Sequence, residues 1–148
     1  MKNTNKQSVE LSYYRLTLQS FLLESHPELA ANAEFIAARG DLAAETYSQV
    51  IKDGYTPSQA EEFANEVLYK DLNFSKHDTL VNILWNEFAD EVPQGSAKKL
   101  ARQLLPVCEV IFAKYSLTDD FAYELQFDQL YTELTGTIVL WLEDHELQ

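Results

Sequence analysis

The chain has 148 residues, 46% of them hydrophobic and 12% aromatic, and a formal net charge of −13 from 24 acidic and 11 basic side chains. Four glycines and four prolines are too few for a disordered or fibrous chain, and a single cysteine, Cys108, excludes an internal disulfide framework. The negative balance argues against a generic binder of nucleic-acid phosphates or of anionic membrane surfaces, since both need Lys and Arg.

Every long segment repeats its apolar residues at the helical period, and none alternates as a strand does. Residues 1–7 are polar and are expected to form a flexible tail. Lys2 and Lys6 precede no apolar core of a secretory signal. Ser8 is a good N-cap for a first helix over 8–25, with Leu11, Tyr14, Leu18, Phe21 and Leu22 as its stripe. Pro27 stops that helix and suits the first turn of a short piece over 27–31. Asn32 can cap a long helix over 33–53, whose stripe is Ile36, Ala43, Tyr47 and Val50, with Phe35 and Leu42 beside it. Gly40 costs that helix about 1 kcal/mol against Ala, which predicts a close packing contact there. Gly54 is its stop.

The clearest start follows. Thr56 is an N-cap, Pro57 the first helical residue, and Gln59 completes a capping box. Ala60, Phe63, Ala64, Val67 and Leu68 come after it at helical spacing. Ser75 with Asp78 opens the next helix in the same way, with Leu80, Val81, Leu84, Trp85, Phe88 and Val92 as its apolar residues, before Pro93 and Gly95 end it. A fifth helix spans 96–115, with Leu100, Leu104, Cys108, Ile111 and Tyr115 on one side and Pro106 inside it, where a kink is expected. The last carries Phe127, Leu130, Leu134, Ile138 and Trp141 on its inner face. Short connections favour antiparallel neighbours. The expectation is all-α: one domain over 1–148, a compact bundle of about six helices. The last helix is the candidate for a central one surrounded by the others, because residues 137–142 are apolar nearly all round. No apolar run approaches the roughly 18 residues of a membrane span, and a cytoplasmic location is expected.

Few constellations could carry chemistry. His77 and Asp78 form an adjacent pair of the kind that metal-dependent phosphohydrolases use, and His26 upstream with Asp119 or Asp120 downstream could complete a metal set. The plainer reading makes Asp78 a helix-capping acid, His77 an exposed first-turn residue and His26 part of an exposed proline turn between Glu24 and Glu28. No His has a Glu three residues before it, as a di-iron bundle requires. Asp144 and His145 lie at a terminus where a precise site is hard to hold. Cys108 sits at core spacing and reads as an inert small hydrophobe. Glycine-rich phosphate loops and nucleophile elbows are missing. Lys98, Lys99 and Arg102 could form a small anion-binding patch, against which stands pairing with Glu87, Asp90 and Glu91. Trp85 and Trp141 are read as core. Residues 116–148 hold eight carboxylates and no Lys or Arg, which the plain reading leaves solvated.

Three stretches are distinctive: 35–47 (FIAARGDLAAETY), 74–108 (FSKHDTLVNILWNEFADEVPQGSAKKLARQLLPVC) and 119–145 (DDFAYELQFDQLYTELTGTIVLWLEDH). They resemble a bacterial domain of unknown function, number 1896, seen in Bacteroidetes and often carried on conjugative transposons. The resemblance implies a multihelical bundle and brings no catalytic residue, cofactor or substrate with it.

The leading expectation is a non-enzymatic accessory or protein-interaction protein of such an element, without a cofactor, present as monomer or homodimer and bound to an unidentified protein partner. The alternatives are a metal-dependent hydrolase using His26, His77, Asp78 and Asp119, and mimicry of nucleic acid by the acidic last third.

Overall fold

Prolines and polar capping residues mark most of the helix boundaries. The computed structural model describes the backbone of residues 2–146 and the side chains of residues 13–145. It contains six α-helices, with no strand among the described residues, and divides into two compact units, Met1–Leu72 and Asn73–Gln148.

The first unit holds α1 (Lys2–Ser25), α2 (Ala33–Lys52) and α3 (Pro57–Leu68). α1 reaches back beyond Ser8 to Lys2, since no proline or glycine stands between them to stop it. The tail expected over 1–7 is therefore helical from Lys2, and Met1 lies outside the described residues, as does the Leu11 side chain. Pro27 ends α1, but 27–31 forms successive turns rather than a short helix: the Leu29 N–H donates to His26 O at 2.8 Å and the Asn32 N–H to Leu29 O at 3.0 Å.

α2 opens on Asn32, whose side-chain oxygen accepts from the Phe35 N–H at 3.0 Å. It closes with the Gly54 N–H on Ile51 O (3.0 Å) and the Tyr55 N–H on Val50 O (3.2 Å). That pattern needs a left-handed residue after the cap, and Gly54 supplies it with φ +99°. Thr56 and Gln59 cap α3 reciprocally, at 3.0 and 3.2 Å. Tyr14, Leu18 and Leu22 of α1 form one core cluster with Ile36, Ala43 and Ala44 of α2 and Ala64 and Leu68 of α3. Small residues on α2 and α3 let the backbones approach. Leu42 and Phe63, placed on or beside the apolar stripes, are instead half exposed, because these stripes are wider than the faces their partners cover.

The second unit holds α4 (Lys76–Glu87), α5 (Ala97–Phe112) and α6 (Gln126–Glu146). α4 ends five residues before Val92. Pro93 disfavours a helical Val92, and the chain relaxes into turns in which the Val92 N–H still reaches Phe88 O at 2.8 Å. Both Phe88 and Val92 stay buried. A 3₁₀ turn over Gln94–Ser96 leads into α5, which continues helically through Pro106. The core joins Leu80, Ile83 and Leu84 to Leu104, Cys108 and Phe112, and to Leu130, Leu134 and Ile138. Each fully buried side chain of this size contributes about 1.5–3 kcal/mol.

The expectation of an enclosed central α6 is corrected. Only one edge of the helix is buried, and Leu140 is 65% exposed. α6 packs on α4 and α5, and two neighbours cannot cover the far side of the apolar run 137–142.

Candidate functional site

His26 lies in the first unit, and His77, Asp78 and Asp119 lie in the second. His26, expected in an exposed turn, is buried. Its Nε2–H donates to Leu72 O at 2.7 Å, its Nδ1 faces Glu28 Oε1 at 3.6 Å, and its ring packs beside Phe21. The side chain thus ties the end of α1 to the chain leaving α3. His77 is also not the exposed first-turn residue expected. It is 1% exposed, with Nε2–H donating to Lys98 O at 3.2 Å and Nδ1 at 3.5 Å from Asp78 Oδ1. The α4 start is turned inward onto α5, which buries the ring. Ser75 Oγ accepts from the Asp78 N–H at 2.9 Å, as a cap should. Asp119 Oδ1 accepts from the Asn73 N–H at 3.1 Å. These bonds have structural roles, and among the described residues no group of three His, Cys, Asp or Glu side chains is placed to hold a metal ion.

Cys108 is fully buried, and burial pushes its thiol up to about 11. It is a core residue and a poor nucleophile at neutral pH. Trp85, read as core, is 39% exposed and donates from its indole N–H to Gln94 O at 3.3 Å. Trp141 is half-buried against the core.

The basic cluster is exposed: Lys98, Lys99 and Arg102 all lie on the solvent side of the first turns of α5. The expected pairing with nearby acids does not hold for Lys99 and Arg102, which have no ion-pair partner among the described residues. Glu87 accepts instead from the Tyr131 hydroxyl at 3.1 Å. Beside this cluster lies an open groove of about 360 Å³, whose lining includes Val92, Pro93, Leu100 and Leu142 with Glu91, Lys99, Gln103 and His145. His145 is better held than its terminal position suggested. Its Nδ1–H donates to Trp141 O at 2.8 Å, and the two rings stack at 3.6 Å. The groove was invisible in sequence because its walls come from the turn before α5 and from the last turns of α6, about 50 positions apart.

A second surface lies in the connection between a 3₁₀ turn (Phe121–Tyr123) and α6. Phe121 is fully buried, whereas Tyr123 and Leu125 are 89% and 91% exposed. Both fall outside the helical stripes, next to Glu124, and that break in period was the available signal. No helix of the described residues is long and apolar enough to cross a membrane.

Residues 5–147 match the family model described as Domain of unknown function (DUF1896). The chain is also similar to the crystal structure of protein PG0816 from Porphyromonas gingivalis, at 44% identity and a TM-score of 0.91, over 97% of this chain and 98% of that one. No curated protein matches.

Proposed function

The chain belongs to the family of Domain of unknown function (DUF1896), and from that premise we propose that it is a non-enzymatic accessory protein that acts by binding another protein. The observation that supports this reading is the exposure of Tyr123 and Leu125, each about nine-tenths in water and two residues apart. A single exposed Leu is ordinary. Two large apolar side chains left in water within three residues forgo about 1.5–3 kcal/mol of burial each. These two are the most exposed of the large apolar side chains among the described residues, and such a pair is the kind of patch that a partner covers. Asp119, Asp120, Glu124 and Asp128 adjoin it in sequence, which favours a partner with an apolar pocket and a basic rim.

The test is affinity purification of the tagged chain from its native host at moderate salt, with mass spectrometry of what co-elutes. The conjugation machinery implied by the family resemblance is the first place to look for the partner. A stoichiometric partner held by the natural chain and lost by the Tyr123→Ala/Leu125→Ala double variant is the expected result. A chain that elutes alone, or a partner equally well held by the double variant, would remove the basis for this reading.

A further inference from the structure

We infer that the groove between the start of α5 and the end of α6 is a separate docking site for a protein segment that alternates carboxylates with apolar side chains. It lies at the other end of α6 from Tyr123 and Leu125, so it does not depend on the binding surface proposed above.

This chain holds 24 acidic and 11 basic side chains, and some of its cations are already held by carboxylates. Lys76 grips Glu109 at 3.0 Å and Lys114 grips Glu133 at 3.0 Å. Lys99, on the groove wall, and Arg102, one turn further along α5, have no such partner among the described residues. The placement of Lys99 is also locally unfavourable. The first turn of α5 has no acidic residue, and Ser96 makes no side-chain cap, so the lysines there face the positive end of the helix dipole. An incoming carboxylate relieves both conditions.

The floor of the groove is apolar. Val92 is buried, and Leu100 and Leu142 are partly buried against the core, leaving apolar surface open to the groove. A free inorganic anion would use the cations and ignore this surface. The groove is also open to solvent, so a peptide segment can reach it.

Glu91 decides between an acidic–apolar segment and a polyanion. It is the one carboxylate on the lining among the described residues, and with the net charge of −13 it repels a uniformly charged strand such as nucleic acid. A segment whose acids are spaced by apolar residues can meet Lys99 and Arg102 while laying apolar side chains on the floor.

The test is an NMR titration of the isotope-labelled full chain with a short peptide alternating glutamate and leucine. Poly-glutamate and a lysine–leucine peptide of the same length serve as controls. Amide shifts confined to residues 96–103 and the last turns of α6, with the glutamate–leucine peptide alone, are expected. The Lys99→Glu/Arg102→Glu variant should weaken that binding about tenfold or more. Circular dichroism checks its fold, and Lys99→Gln, which only removes charge, should give an intermediate loss. Equal binding of poly-glutamate would overturn the role of the floor. Shifts elsewhere, no shifts, or binding unchanged in both charge variants would overturn the site. Concentration-dependent sedimentation of the free chain that Lys99→Glu abolishes would assign the groove to a second copy instead.

Discussion

Arg15 of α1 lies directly against Gly40 of α2. A Cβ built on Gly40 would stand 2.8 Å from Arg15 Cγ and 3.1 and 3.2 Å from its backbone N and Cα. The guanidinium then reaches one residue further and forks onto Asp41, with Nε to Oδ1 at 2.9 Å and Nη2 to Oδ2 at 2.8 Å. Both charged side chains are well exposed, so the ion pair itself adds about 0–1 kcal/mol. The missing Cβ is what lets the two helices close.

Gly40→Ala is therefore expected to destabilise the chain by about 1–3 kcal/mol, because a backbone must move to admit the methyl group. Gly136→Ala provides the contrast. Gly136 lies on the exposed side of α6 with nothing within 4 Å of its would-be Cβ, and the same change there should stabilise by about 0.5–1 kcal/mol. Urea unfolding of the two variants checks this. Effects of the same sign would show that helix propensity, not helix approach, governs Gly40.

Arg39 closes the end of α3 from α2. Its Nη1 donates to Val67 O and Leu68 O at 3.3 Å each and to Lys70 O at 2.7 Å, with the guanidinium over the Phe35 ring. Arg39→Met keeps the apolar stem and removes the donors, and should cost about 1.5–3 kcal/mol. Arg39→Lys should recover part of this, as an ammonium cannot span the carbonyls in the same plane. Thermal unfolding ranks the three chains.

Tyr115 donates from its hydroxyl to Glu133 Oε1, and Lys114 approaches Glu133 Oε2 at 3.0 Å. The hydrogen bond to Glu133, helped by burial and the negative charge, pushes the Tyr115 phenol from 10.0 up to about 12. The same bond, with that from Lys114, holds the Glu133 carboxyl below its ordinary value. The raised phenol contributes stability that is whole below 10.0 and lost as pH rises towards about 12. The lowered carboxyl contributes stability that is whole above its unfolded value and lost as pH falls through its folded one. Tyr115→Phe should remove one late phenolate from an ultraviolet titration and flatten both limbs of stability against pH. A titration unchanged by the substitution would count against the pairing.

Cys108 should resist thiol reagents in the native chain and react only as fast as the second unit opens. Adding urea below the transition should speed the reaction in step with the fraction unfolded. Rapid stoichiometric labelling in buffer would contradict its burial.

Helix type and many boundaries were legible along the chain because they depend on near neighbours. Thr56 with Gln59, Asn32 with Phe35, and Gly54 each act within a few residues, and the structure uses all three. Gly40 was legible too, since a glycine inside a strong helix pattern needs a reason. Its reason, the Arg15 backbone, was not.

The sequence by itself determined an all-helical chain with apolar stripes at Leu18, Ala43, Leu84 and Leu134, because spacing at 3.6 residues and local caps are sufficient for that. Only the tertiary structure decided which polar residues are buried, as for His26 and His77, and which apolar ones are left in water, as for Leu125 and Leu140. It alone placed Leu142 and His145 beside Lys99 and left Lys99 and Arg102 without carboxylates among the described residues. These outcomes turn on which helix faces meet and how wide the covered strip is, and no interval along one chain encodes the width of its neighbour.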